Sequence, residues 1–324
     1  MTALALAAAC VIDGALGDPV GWPHPVRLIG GVCTLCERLA CCYARSNEVR
    51  ELFAGSVLCA TIVGGTYCAA RITLMLAYRL HRRCGLVLEI ALAWTTLAAR
   101  NLLDEALAVI VLLEREELAQ ARVRVARIVG RDTKHLDAPD IARAAIETLA
   151  ESACDGIVAP LCALAIGGVP LALAFKAAST LDSMIGHIEP PYTFLGRASA
   201  RLDDLACYVP ARFTALLIAG CAPLVSGDRR RALSVLRADG RRHRSPNAGL
   251  PEAAMAGALG VRLGGPNRYD GIVHDAPYLG ARFTPPTVEA ARRAAALIGT
   301  CAFVATATLV ALLAAVERLR ESPS

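Results

Sequence analysis

Glu147-Thr148-Leu149-Ala150-Glu151-Ser152-Ala153-Cys154-Asp155, then GIVAPLCALAIGGVPLALAF over residues 156–175, then Lys176-Ala177-Ala178-Ser179-Thr180-Leu181-Asp182-Ser183, is the stretch that decides how this chain folds. Its middle part carries twenty uncharged residues, long enough for a helix to cross a bilayer. Ionisable groups at both ends of such a run are costly unless they are paired or used. Those present, carboxylates and cations with hydroxyls between them, suit phosphate and metal chemistry, so the stretch predicts a membrane enzyme.

Working outward, 55% of the 324 residues are hydrophobic and only 19% are charged. Ala and Leu dominate and sheet-forming β-branched and aromatic runs are scarce, so the expected fold is all-α: a polytopic integral membrane protein with broken or re-entrant helices and interfacial polar loops. No linker or internal repeat divides the sequence, which makes residues 1–324 one integral domain. The net charge of +5 sits mostly in Arg122–Arg131, Arg229–Arg231 and Arg241–Arg244. Arginine-rich connections between apolar segments read as cytoplasmic loops rather than nucleic-acid sites. The thirteen cysteines lie mostly inside apolar stretches (Cys59, Cys68, Cys162, Cys301), where they behave as small hydrophobes. Cys33 and Cys36 have CxxC spacing without a second matched pair, so packing in a reducing compartment is expected over zinc or redox chemistry.

The apolar segments are 1–16, 52–78, 86–113, 156–175, 209–225 and 294–316. The first lacks a basic leader and contains Asp13, so it reads as a retained helix rather than a removable signal. Residues 86–113 are interrupted by Arg100 and Asp104, which suggests a short span and an interfacial helix. The last has 23 uncharged residues flanked by Arg292, Arg293, Arg318 and Arg320, a clean span.

In a helix begun near Ile141, Arg143, Glu147, Glu151 and Asp155 recur every fourth residue and project from one face within about 18 Å. Such a stripe can hold Mg²⁺, or it is a solvated face with i,i+4 support. A straight helix from Asp155 to Lys176 would separate the two polar clusters by roughly 30 Å, one hydrocarbon thickness. Gly167-Gly168-Val169-Pro170 lies between them, and those are residues at which a helix breaks. A re-entrant pair of half-helices, its turn buried in protein, is therefore expected to bring Lys176, Ser179, Thr180, Asp182, Ser183 and His187 back toward Asp155. A further cluster, Arg197, Ser199, Arg201, Asp203 and Asp204, precedes Pro210 and Arg212.

Several of these residues have plainer readings. His24 lies between two prolines and suits a rigid surface loop. Arg131-Asp132-Thr133 follows Gly130 as a helix C-cap would. Ser245-Pro246-Asn247 is an ordinary turn, and Gly257, Gly260, Gly264 and Gly265 serve either phosphate approach or close helix packing. His81, His135 and His274 have no recognisable partner spacing.

Taken in order, the motifs resemble one family. Gly17-Asp18-Pro19 with Pro23-His24-Pro25-Val26-Arg27, Arg131-Asp132-Thr133, Glu147-Thr148-Leu149-Ala150-Glu151 with Asp155-Gly156, Lys176, and Thr180-Leu181-Asp182-Ser183-Met184 are similar to the CobD/CbiB family. Ser199-Ala200-Arg201 with Asp203-Asp204, Pro210-Ala211-Arg212, Ser245-Pro246-Asn247-Ala248-Gly249, Glu252 to Leu259 and Leu263-Gly264-Gly265-Pro266 continue the resemblance over nearly the full length. Ser152, Ser179 and Cys207 stand where that family usually has Asn, and none reproduces an amide's paired donor and acceptor.

The resemblance implies a multi-pass inner-membrane adenosylcobinamide-phosphate synthase with its active site facing the cytoplasm. It would join the corrinoid adenosylcobyric acid to aminopropanol or its O-phosphate through an amide, using ATP and Mg²⁺. Membrane lipid is a partner, nucleic acid is not, and association into a homo-oligomer is left open. Glu147, Glu151, Asp155, Asp203 and Asp204 are the metal candidates. Lys176, Asp182, His24 and Arg131 are the catalytic ones, with Arg131, Lys176 and Arg201 on phosphoryl charge and Asp182 or His24 as base. Asp18, Arg27, Asp132, Thr133, Thr180, Ser183, Arg201, Ser245, Asn247 and Glu252 complete substrate and phosphate binding. There is no Walker A sequence and no GxGxxG turn. A transporter or scaffold that binds a corrinoid without chemistry is the alternative, since broken helices also serve transport.

Overall fold

The computed structural model describes residues 1–19, 21–22, 24–44, 47–186 and 192–321. His187 lies outside the described residues. The chain runs through α1 (Ala3–Leu16), α2 (Pro25–Ala44), α3 (Glu48–Leu80), α4 (Arg82–Trp94), α5 (Ala99–Glu114), α6 (Leu118–Val125) and α7 (Ala138–Ala153). A π-helical turn over Cys154–Val158 leads into α8 (Ala159–Ile185), followed by α9 (Arg197–Cys221), a 3₁₀ turn (Ala222–Val225), α10 (Arg229–Asp239) and α11 (Gly249–Leu259). Four short strands, β1 (Leu263–Gly264), β2 (Asn267–Tyr269), β3 (Ile272–His274) and β4 (Tyr278–Leu279), precede α12 (Val288–Glu321). The fold is thus helical, as composition predicts.

Among the described residues, four stretches are long and apolar enough to cross a membrane: Glu48–Leu80, Ala138–Ile185, Arg197–Val225 and Val288–Arg320. Segments 52–78 and 294–316 lie inside the first and last. Segment 209–225 is the second half of a longer helix. Segment 86–113 divides into α4 and α5, because the Thr95 and Thr96 hydroxyls each bond a carbonyl one turn back, Leu92 and Ala93, both at 2.7 Å. Such back-bonding offers the backbone an alternative to the helical ladder. α8 breaks at Gly168, whose φ of 65° and ψ of −162° belong to a region that essentially only glycine occupies. Pro170 follows inside the helix, so the predicted break is present, at Gly168.

Contacts group the chain into two compact units: Met1–Ala98, Ala159–Cys207 and Thr306–Ser324; and Ala99–Val158 with Tyr208–Ala305. In the first, Ile29 and Cys33 of α2, Leu58, Cys59 and Ile62 of α3, and Ala177, Leu181 and Ile185 of α8 form a core with Leu195. Gly55 lets α3 meet the Leu195 carbonyl, which a Cβ would strike. The outer side of α3 leaves Phe53, Val57, Ile72, Met75 and Leu76 exposed. An apolar surface on a helix of this length suits lipid contact.

In the second unit α5 presents Ala106, Val109, Ile110 and Leu113 inward, the i, i+3, i+4, i+7 pattern of a core-facing helix. α7 packs against α5, α6 and α11, and α10 packs closely on α11. At Gly257 a Cβ would come within 2.7 Å of Ala232 Cα, so this glycine permits the close approach of α10. Gly260 ends α11 in the left-handed conformation, φ 70°. β1 pairs with β4 and β2 with β3, both antiparallel. All thirteen cysteines are unbridged thiols, and Cys33, Cys59, Cys154, Cys207, Cys221 and Cys301 are buried.

Candidate active site

α7 begins at an N-cap, Asp137, which accepts a hydrogen bond from the Asp140 amide at 2.9 Å. Its apolar residues, among them Ile141, Ile146 and Leu149, are buried, which fixes the polar stripe on the remaining side. The stripe holds from Arg143 through Glu147 to Glu151. Asp155 follows inside the π turn Cys154–Val158, where its charge still acts on Glu151. π turns inside helices frequently mark functional sites.

Glu147 and Arg131 form a buried ion pair, their side chains 9% and 8% exposed. The other guanidinium nitrogen of Arg131 donates to Asn267 Oδ1 at 2.6 Å. The second carboxylate oxygen of Glu147 accepts the Gly264 amide at 2.7 Å. Arg143 donates to the Gly264 carbonyl and to Asp140. Gly264 therefore serves the site with its backbone, and its φ of 70° explains why glycine stands there. Asp132 accepts the Gly271 amide at 2.8 Å and so ties the β2–β3 turn beside Arg131. Thr133 is buried next to it.

Glu252 is the one ionisable residue of α11, whose eleven residues are all buried. Burial, followed by the charges of Glu147 and Glu151, holds its carboxyl well above the ordinary glutamate value, while Arg131 opposes the shift. His243 faces the same cavity. Burial lowers its pKa, and its Nδ1 accepts the Ser245 amide at 3.0 Å, which assigns the proton of the neutral ring to Nε2. The Ser245 hydroxyl accepts the Asn247 and Ala248 amides, both at 3.2 Å, and Asn247 is buried. These contacts turn the chain into α11. Sequence reasoning missed His243 and Asn267; the motif beginning at Ser245 lies two residues from the first.

Arg131, Glu147, Glu151, His243, Glu252 and Asn267 line a cavity of about 190 Å³. Three carboxylates there face one arginine, and Glu147 is already engaged on both oxygens. Glu151 and Glu252 remain as hard oxygen donors. Mg²⁺ is held by one or two carboxylates plus substrate oxygens, so the donor set fits it. Among the described residues, no three of Glu147, Glu151, Asp155 and Glu252 bring carboxylate oxygens within 4.8 Å of one another. The stripe by itself is not an assembled three-carboxylate site.

The other sequence candidates belong to the first unit. Lys176, Thr180, Asp182 and Ser183 stand on the second half of α8. The Ser183 hydroxyl donates to the Ser179 carbonyl at 2.9 Å, and the Asp182 carbonyl accepts the Gly186 amide at 2.7 Å. His24 accepts the Val26 amide on Nδ1 at 3.3 Å and places Nε2 3.4 Å from Asp18, so it closes the start of α2. His24 and Arg27 border an apolar cavity of about 960 Å³ between α2 and α3. Arg201, Asp203 and Asp204 stand on α9, Arg201 exposed and the aspartates half-buried.

Fold and site define a class first: a helical membrane protein that keeps a carboxylate-rich, arginine-bearing cavity within an otherwise apolar interior. The chain belongs to the CobD/CbiB family, whose profile, described as "CobD/Cbib protein", matches residues 6–298. It is similar to "Cobalamin biosynthesis protein CbiB" of Salmonella typhimurium, 42% identical over 96% of this chain and 97% of that one. It is 43% identical to "Cobalamin biosynthesis protein CobD" of Klebsiella pneumoniae, over 86% of this chain and 88% of the relative. The protein of that name from Photorhabdus laumondii is 44% identical over the same shares. These relationships support a role in cobalamin biosynthesis. No solved structure matches the chain.

Proposed function

We propose that this protein joins adenosylcobyric acid to aminopropanol or its O-phosphate by ATP-dependent amide formation, giving adenosylcobinamide or its phosphate, at a cytoplasm-facing site of the bacterial inner membrane. The observation that carries the reading is Glu252, a buried acid in an apolar helix, beside Glu147, Glu151 and Arg131. A protein interior holds such groups where they are paired or used.

A carboxylate does not condense with an amine at neutral pH. In the proposed route a propionate oxygen of the corrinoid attacks the terminal phosphorus of ATP, ADP departs, and an acyl phosphate forms. The amine nitrogen then attacks the carbonyl carbon, and the C–O bond to phosphate breaks with its electron pair on phosphate. The ammonium proton goes to a base. Arg131, fixed by Glu147 and Asn267, neutralises charge on the transferring phosphoryl group, because positioning and electrostatics dominate such transfers. Glu252, its basicity raised, is suited to take the proton. His243 offers Nε2–H to developing negative charge. Glu151 and Glu252 would hold Mg²⁺, which would supply charge neutralisation of phosphate oxygens. The roles implied for Lys176, Asp182, His24, Arg201, Asp203 and Asp204 rest on the motifs they share with the family.

The test is purified protein with adenosylcobyric acid, ATP, Mg²⁺ and each amine donor in turn. Amide product with one ADP per bond is expected, and Glu252→Gln should lower turnover by about 10²–10⁴-fold. Corrinoid binding without amide from either donor would establish the transporter or scaffold reading instead.

A further inference from the structure

A second cavity, of about 480 Å³, shares Arg131 and Asn267 with the carboxylate cavity. Four arginines line it: Arg131, Arg143, Arg262 and Arg268. Arg131 and Arg143 are committed to Glu147 and Asp140. The other two are not. The Arg262 guanidinium lies 4.8 Å over the Tyr278 ring, and neither it nor that of Arg268 has a hydrogen bond or ion pair among the described residues. The aspartates of this wall are all engaged: Asp132 with the Gly271 amide, Asp137 with the Asp140 amide, Asp140 with Arg143. No carboxylate of this wall pairs with Arg262 or Arg268, so two guanidinium groups are left to meet an anion. Leu136, Pro266, Pro285 and Pro286 supply an apolar wall.

We infer that this arginine-walled cavity holds a nucleoside triphosphate, with its phosphates on Arg262 and Arg268 and its terminal phosphate reaching Arg131. Guanidinium groups bind phosphate oxygens in a planar, often bidentate geometry, and sites of about 300–1,000 Å³ are the usual size for such ligands. A phosphomonoester would satisfy two guanidinium groups but leave the apolar wall empty. Arg131 borders both cavities, so a phosphate against it lies at the wall common to Glu151 and Glu252. The choice of ligand rests on the ligase reading above; the cavity and its two unpaired guanidinium groups do not. It supplies a phosphate cradle of side chains in a chain with no Walker A sequence.

The experiment titrates full-length protein in detergent with N-methylanthraniloyl-ATP and Mg²⁺, without corrinoid. Arg262→Ala and Arg268→Ala should each weaken binding about tenfold, and Arg268→Lys should recover much of the loss. Arg237→Ala, an exposed arginine of α10 outside the cavity, should bind as the parent does. Unlabelled ATP should displace the probe and aminopropanol phosphate should not. Unfolding curves that match the parent's exclude loss of fold. If the double variant binds the probe as tightly as the parent while amide synthesis persists, the cavity assignment falls and the ligase reading stands. If aminopropanol phosphate competes with the probe, the cavity belongs to the amine donor. If the parent neither binds nucleotide nor forms amide, the ligase reading fails and the choice of nucleotide fails with it.

Discussion

α3 and α11 are both apolar helices, yet they answer to different surroundings. α3 has 33 residues and buries few of them, leaving Phe53, Val57, Met75 and Leu76 outward. α11 has eleven and buries every one, an acid included. A helix that sheds apolar side chains outward is held by length and by lipid, and it tolerates substitution. A helix hydrophobic all round sits inside protein, and a carboxylate there depends on each neighbour. Mean hydropathy does not separate the two. The ionisable residue and what surrounds it do.

The largest expected effect lies where α7 faces α11. Glu147→Ala would leave Arg131 buried without its counter-charge, which costs about 3–5 kcal/mol. Thermal unfolding in detergent should show the loss, and a full-height transition at the parent's temperature would mean that the pair is not buried in solution. Gly55→Ala probes the one point where α3 behaves as a core helix. Its methyl would strike the Leu195 carbonyl, and overpacking of this kind costs about 1–3 kcal/mol.

The next effect is one of pH. The folded-state pKa of Glu252 lies above its unfolded value, chiefly through burial and then through Glu147 and Glu151. The folded state therefore favours the protonated acid. That stabilisation is complete below about pH 4.3 and is lost as pH rises through the folded value. Glu252→Gln should flatten this arm of a plot of unfolding temperature against pH, and an unchanged slope would assign the titration elsewhere. The smallest effect belongs to the lipid side of α3. Leu76→Ala should move stability by no more than about 0.5 kcal/mol, and a larger loss would show that this face is covered by protein.

Sequence alone reached the helices that carry their own signal. The 23 uncharged residues at 294–316 and the Gly167-Gly168-Val169-Pro170 break need no partner to be read. The Glu147–Glu151 stripe was legible from helical periodicity, and Arg131 and Glu252 from the motifs around them. α2 was not foreseen, because Arg27, Glu37 and Arg38 interrupt its apolar face. The division of 86–113 was expected from Arg100 and Asp104, but its position depends on two threonine hydroxyls, which a hydropathy pattern does not weigh. Asn267 meets Arg131 across 136 residues of chain, through a hairpin whose strands are two or three residues long and carry almost no pattern. His243 lies in an arginine-rich run that reads as a polar connection until its ring is seen against α11. What remained hidden was long-range or hydroxyl-mediated.

The π turn at Cys154–Val158 has one further consequence. One extra residue per turn is an insertion that the helix has absorbed without breaking, and it sets the angular phase of the helix as far as the break at Gly168. Deleting a single position there would let the segment relax to an ordinary helix and swing each side chain from Ala159 to Ile166 by about 100°. Composition, hydropathy and length would stay nearly the same. The azimuth of that half-helix is thus written in five residues, upstream of the side chains it aims.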